Sequence, residues 1–210
     1  MGLAIEVGPY GAYEAEDLDE MRPQLDADMA RINTMLAGAS LPPHTENQAE
    51  VEFDSQAWVS SFPYRFLHFL RAVAYHHSLG LPLPDQLAQG YDAADDYDGA
   101  SMLDSHLLNH SDCDGYYVPI DFDAPLVDDE YPGVILGSSV ALQRELLAVA
   151  APLGIEVESP GGRVTADSVA ALEKSSEDEE HPCWIAREVW LTLYDATRAS
   201  IAAGQVIVFQ

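Results

Sequence analysis

Leu3-Ala4-Ile5-Glu6-Val7 near one end of the chain and Gln205-Val206-Ile207-Val208-Phe209-Gln210 at the other decide the fold. Each is short, rich in β-branched residues and flanked by a glycine, Gly8 or Gly204, which predicts a strand. The stretches between them are mostly helical in period. Strands at both ends with helices between predict an α+β domain, its helices packed on a small mixed sheet that includes both terminal strands. No clean β-α-β alternation is present, so a doubly wound sheet is not expected.

Working inward from Val7, residues 14–38 place Leu18, Met21, Leu25, Met29, Ile32, Met35 and Leu36 at helical spacing. Pro23 is expected to break or restart that helix, and Gly38 to cap it. Residues 41–61 are turn-rich. Residues 64–79 are apolar nearly all round, which predicts a central core helix ended by Gly80. Residues 85–100 read as an acidic surface loop. Residues 105–122 read as two extended pieces joined by a turn at Asp112-Cys113-Asp114-Gly115, the second held at a sheet edge or bulge by Pro119. Residues 124–132 read as another acidic loop.

From the other end, Gly204 stops a helix over 183–203 that starts behind Pro182. A helix over 140–153 follows Ser138 or Ser139 as N-cap. A strand at 154–157, a short helix at 165–172 and a solvated run at 173–180 complete the reading. Arg65, Arg71, Arg144 and Arg187 lie in apolar helices and are expected to make internal ion pairs. Trp58, Trp184 and Trp190 are expected in the core.

With 210 residues, 48% of them hydrophobic, the chain suits one domain, 1–210, with a substantial core. Its charge is extreme: 36 acidic against nine basic residues, a net charge of −27, with Lys174 the only lysine. Such a field repels nucleic acid and anionic membranes, so direct binding to either is not expected, while a basic protein partner is attracted. Three readings of the acidity stay open: hydration in a salty cytoplasm, a surface that clamps a basic protein, or cation binding. Two scattered cysteines, Cys113 and Cys183, point to a reducing cytoplasm. No signal-peptide pattern occupies residues 1–8, and no run approaches the roughly 20 apolar residues of a membrane span.

Asp104 to Tyr117 gathers two histidines, three aspartates, a thiol and two tyrosines. A metal site there would use His106, His110, Asp112 and Asp114. The glutamate of an H-E-x-x-H motif is absent, and so is the closing glutamate of a calcium loop. Asp-x-Asp-Gly is equally the chemistry of a turn. Cys113 with a histidine base is a further candidate, although flanking aspartates disfavour its thiolate. His68, His76 and His77 suit partners along a helix and at its C-terminal end. Gly137-Ser138-Ser139 and Gly161-Gly162 lack the lysine of a phosphate loop. No cofactor is expected. The acidic aromatic loop of Tyr91, Asp92, Asp95, Asp96, Tyr97 and Asp98 is the expected partner-binding surface.

The stretches SSFPYRFLHFL (60–70), DSHLLNHSDCDGYYVPIDF (104–122) and LGSSVALQRELLAVAAPLGI (136–155) resemble segments of small uncharacterised bacterial proteins, several of which share the MGL opening and a VIVF ending. In its small, acidic, cytosolic character the chain is also similar to immunity proteins, which neutralise a toxin by occluding its active site. That resemblance implies a bacterial cytoplasmic inhibitor that sequesters a basic toxin or effector. The competing expectation is a metal-binding protein or hydrolase built on residues 104–117.

Overall fold

The computed structural model describes residues 2–83, 99–128, 134–159, 162–179 and 181–210. Six strands form one mixed sheet: β1 (Gly2–Val7), β2 (Ser61–Pro63), β3 (Gly115–Val118), β4 (Leu126–Val127), β5 (Ile135–Ser138) and β6 (Ile207–Phe209). Their spatial order is β2-β1-β6-β3-β5-β4. The terminal strands β1 and β6 are antiparallel neighbours, with Ile5 opposite Phe209 and Val7 opposite Ile207. Only the β3–β5 pair is parallel. This is the α+β arrangement that the two ends of the sequence predict.

Side chains alternate across the pleat, so each strand serves two cores. Leu3 and Ile5 of β1, Tyr117 of β3, and Ile207 and Phe209 of β6 face the larger core. That core is filled by α2 (Tyr64–Ser78), α3 (Ser139–Ala150), α4 (Ala166–Asp178) and α5 (Trp184–Ala203). Tyr116 and Val118 of β3, Leu136 of β5 and Val206 face the other way, where Ile32 and Leu36 of α1 (Ala15–Gly38) cover them. The sheet therefore lies between four helices and one.

Helices α2 and α5 both lie in the larger core, and α5 is the more extensively buried. Fifteen of its twenty residues are buried, among them Thr192, Asp195, Thr197 and Ser200. Its buried polar groups from Thr192 onward are satisfied. Asp195 accepts from Ser55 Oγ at 2.6 Å, Gln56 N at 2.7 Å and Arg198 Nη1 at 2.7 Å. Ser200 donates to the Gln205 carbonyl at 2.6 Å. The α2 helix is buried nearly all round between Phe66 and Val73 and exposed at its two ends.

Several local expectations are overturned. Helix α1 runs unbroken through Pro23, whose position is exposed, so water can take the carbonyl left without a donor. It ends beyond Gly38, with Ser40 in the left-handed region at φ 59° and the Leu41 N–H donating to the Leu36 carbonyl at 2.9 Å. Strand β3 lies between β5 and β6 and ends before Pro119, so the proline never enters a ladder. Residues 105–111 form turns and not an extended piece. Leu126–Val127 is a short strand within the stretch read as an acidic loop, and Ile135–Ser138 is a strand that the sequence reading does not include. Gly137 is needed there, because a Cβ would lie 2.3 Å from the Tyr117 ring. Val157 makes one bridge to Val164 and no strand, and α4 extends to Asp178 through the run read as solvated. Trp184 and Trp190 are core, whereas Trp58 is exposed. Among the described residues, no helix is long and apolar enough to cross a membrane.

Candidate functional site

The segment 104–117 uses its polar side chains to hold its own backbone. His106 is fully buried, and its Nδ1 accepts from the Ser138 N–H at 2.9 Å. The ring proton therefore sits on Nε2, which donates to the Phe122 carbonyl at 3.0 Å. Glu145 of α3 accepts from Ser105 Oγ at 2.6 Å and from the N–H groups of His106 and Leu107 at 2.8 and 2.9 Å. His110 stacks on Tyr117, with ring centroids 4.1 Å apart, and its Nε2 lies 3.2 Å from the Tyr116 carbonyl. Burial lowers the pKa of His106 and pushes that of His110 down to about 4, so both are neutral at pH 7.

Arg71 closes the arrangement from α2. Its Nε donates to the Leu107 carbonyl at 2.8 Å, its Nη2 to the His110 carbonyl at 2.6 Å, and its Nη1 pairs with Asp112. His68 lies 3.4 Å from the other oxygen of Asp112. Asp114 accepts from the N–H of Gly115, where φ is +112° and a Cβ would meet the Ile135 carbonyl at 2.5 Å. The metal set His106, His110, Asp112 and Asp114 is not brought together. Among the described residues, no three His, Cys, Asp or Glu side chains are placed to hold a metal ion. Cys113 is exposed, with Ser111 Oγ at 3.9 Å. This segment is a structural clasp between α2, α3 and the sheet.

The expected partner loop of Tyr91, Asp92, Asp95, Asp96, Tyr97 and Asp98 lies outside the described residues. Within them, the carboxylates concentrate on the N-terminal half of α1. At 100° per residue, Glu16, Asp19 and Glu20 stand opposite the buried Leu25, Ile32 and Leu36, Asp17 and Asp26 lie to the sides, and Asp28 turns toward the sheet. The seven acidic residues from Glu14 to Asp28 span about 21 Å, one carboxylate per roughly 3.5 Å of axis. One strand of B-DNA carries a phosphate per about 3.4 Å. The macrodipole makes the N-terminal half of a helix the favourable end for negative charge.

A second acidic row runs beside the first. Asn33 exchanges two hydrogen bonds with the backbone of His44, Arg22 donates to Gln48 at 3.2 Å, and Gly11 lies against the backbone of Glu50. Residues 44–50 therefore run antiparallel along α1 and continue into the exposed Glu50, Glu52 and Asp54. Gln205 fixes this segment from the sheet side through the carbonyls of Asn47 and Ala49, both at 2.9 Å. Glu46 accepts from the Val206 N–H and lies 2.5 Å from His44 Nε2.

Most arginines are held in ion pairs, Arg31 of α1 among them. Arg31, Arg71, Arg144, Arg163 and Arg198 pair with aspartates, and Arg22 lies 5.9 Å from the Tyr10 ring centroid. Among the described residues, the internal ion pairs expected of Arg65 and Arg187 are not found: Arg65 lies over the Phe66 ring, and Arg187 is buried with its Nε unpaired. Between α1 and the sheet is a cleft of about 150 Å³ lined by Glu6, Tyr13, Met21, Asp28, Tyr116 and Gln210. Burial holds the Glu6 carboxyl above the ordinary carboxylate range.

The face of α1 was legible in principle, because the periodicity that marks Leu18 to Leu36 as apolar marks Glu16, Asp19 and Glu20 as its opposite. No curated protein and no solved structure matches the chain. A family model does, over residues 1–209; it names DNA mimicry and not immunity. By that match across nearly its whole length, the chain belongs to the family described as "Putative DNA-mimic protein".

Proposed function

We propose that the protein is an acidic protein-binding module that presents carboxylates in place of DNA phosphates and so occupies the DNA-binding surface of a basic protein. One observation carries the reading: the N-terminal half of α1, counted all round the helix, holds carboxylates at about the axial density of a DNA strand, and its outward side carries Glu16, Asp19 and Glu20. A DNA-binding surface gains much of its affinity from Lys and Arg contacts to phosphate, and such contacts do not require bases. The cleft beneath α1 suits the apolar stem of one long basic side chain, with Glu6 and Asp28 for its head group.

The finer form of this proposal is an immunity-type inhibitor. A toxin or effector that acts on nucleic acid carries a basic substrate cleft, and this surface would sequester it. In that reading Tyr91, Asp92, Asp95, Asp96, Tyr97 and Asp98 also contact the partner. The test is capture of proteins from a lysate of the source organism on the immobilised chain, followed by elution with duplex DNA. Release of a DNA-binding protein by DNA, and its loss with E16Q/D17N/D19N/E20Q, is the expected result. Retained proteins that DNA does not displace would overturn the mimicry. Charge reversal at Asp92, Asp95, Asp96 and Asp98 that leaves capture unchanged would remove that loop from the surface.

A further inference from the structure

In a chain with 36 acidic residues, Arg187 is buried without a carboxylate partner among the described residues. It is 5% exposed, its Nε has no hydrogen-bond partner, and its guanidinium takes part in no ion pair among the described residues. An uncompensated charge in the interior costs several kcal/mol, and a buried polar atom without a partner calls for a physical cause. The neighbouring carboxylate of Glu188 is engaged by Ser176 of α4 at 3.3 Å.

Arg187 stands four residues after Cys183, the residue that precedes α5. Helical side chains lean toward the N-terminus, so the guanidinium lies over the first turn, within electrostatic reach of Cys183 and His181. That turn has vacant donors of its own. The N–H of Trp184 donates to the His181 carbonyl, and that of Arg187 to the Cys183 carbonyl, both at 3.0 Å. Those of Ile185 and Ala186, both fully buried, have no acceptor among the described residues. The N–H of Cys183 donates to His181 Nδ1 at 3.0 Å, which puts the proton of a neutral imidazole on Nε2. Burial keeps the Cys183 thiol protonated, so it supplies no competing charge.

We propose that Arg187 and the first turn of α5 form a binding site for a small oxyanion of the phosphate or sulfate class. A guanidinium fork and helix N-terminal N–H groups are the two donor types that recur around such anions, and here they meet at one buried helix end. The site is independent of the DNA-mimic reading, since it lies on α5 and not on the acidic face of α1.

Thermal unfolding of the full chain tests this, with sodium phosphate, sulfate or acetate titrated against sodium chloride at constant ionic strength. The expected result is a saturable rise in midpoint with phosphate or sulfate, roughly 5–10 °C at a hundredfold excess over Kd. Acetate should give no such rise. In Arg187→Met the rise should vanish, and the midpoint in chloride should equal or exceed that of the wild type, since an unpaired buried cation has been removed. Arg187→Gln provides a second neutral variant, and broadening of the phosphorus-31 resonance of inorganic phosphate gives a direct readout. No anion-specific rise in the wild type, or the same rise in both variants, would overturn the site. So would a midpoint that falls sharply in chloride in both variants, which would mean that Arg187 has a protein carboxylate as its partner.

Discussion

His110 should make the protein progressively less stable between pH 7.5 and pH 5, and the loss should disappear when the imidazole is replaced. The ring is buried between Tyr117 and Phe209, and its pKa is pushed down to about 4 from an ordinary 6.5. For a histidine held neutral in the folded state, stability is complete above the unfolded pKa. It falls with pH because the unfolded chain takes up the proton first. At about 1.36 kcal/mol per pKa unit, the deficit is negligible at pH 7.5 and about 2 kcal/mol at pH 5. His110→Gln keeps an amide donor for the Tyr116 carbonyl and does not titrate. The variant loses the stacking on Tyr117 at every pH, so the decisive quantity is the pH dependence of the gap between the two proteins. Urea unfolding followed by the fluorescence of the buried Trp184 and Trp190 measures it. The gap should narrow by about 2 kcal/mol on going to pH 5. His106, whose pKa burial also lowers, is present in both proteins and largely cancels. An unchanged gap would refute the neutral, structural histidine; a zinc-dependent rise in wild-type midpoint that the variant lacks would restore the ligand reading.

Arg71→Met removes the donors to the Leu107 and His110 carbonyls and the partner of Asp112, and should lower stability by about 3 kcal/mol or more in urea unfolding. Glu6 has its carboxyl pKa raised by burial, so its ionised form is disfavoured on folding and stability falls as pH rises through the carboxylate range. Glu6→Gln, which can still meet Gln210, should therefore be more stable than wild type at pH 7, and the advantage should vanish below the ordinary value of 4.5. With a net charge of −27, raising sodium chloride from 0.1 to 1 M, where the Debye length falls from about 10 to about 3 Å, should raise the unfolding midpoint. The rise should be smaller in E16Q/D17N/D19N/E20Q; a falling midpoint would show that ion pairs outweigh self-repulsion.

The fold was legible where local signals and burial agree. β-branched runs flanked by glycine marked β1 and β6, and Ser138 and Gly204 bounded α3 and α5 as their chemistry predicts. It was illegible where a residue serves a distant neighbour. Gly137 reads as a loop glycine until the Tyr117 ring is seen against it. Thr192, Asp195, Thr197 and Ser200 disguise α5 as amphipathic because their partners, Ser55, Gln56 and Gln205 among them, are supplied by other segments. The histidines of 104–117 read as ligands for the same reason: nothing in a sequence tells whether an imidazole faces a metal or a backbone carbonyl. The carboxylates of α1 were hidden differently. They follow the helical period as faithfully as the apolar stripe, but acidic residues are so abundant in this chain that no single run stands out.

A charge pattern that imitates DNA has to be held in place, and this fold supplies the means. Like charges at i,i+3 and i,i+4, such as Glu16 with Asp19 and Glu20, weaken an isolated helix by a few tenths of a kcal/mol per pair. In α1 that repulsion is opposed by the helix dipole and by Ile32 and Leu36, which seal the second core against Tyr116, Val118 and Leu136. The same packing keeps the carboxylates fixed before any partner arrives, so binding does not bear the entropy of ordering them. Arginines do the opposite work elsewhere, where Arg71 and Arg198 tie buried turns through their aspartates. Cations placed among Glu16, Asp17, Asp19 and Glu20 would have stabilised that end of α1 and destroyed the single sign of the stretch. Carboxylates outward over a helix anchored on its apolar side, in a chain with 36 acidic and nine basic residues, fit a surface whose partner supplies the missing cations.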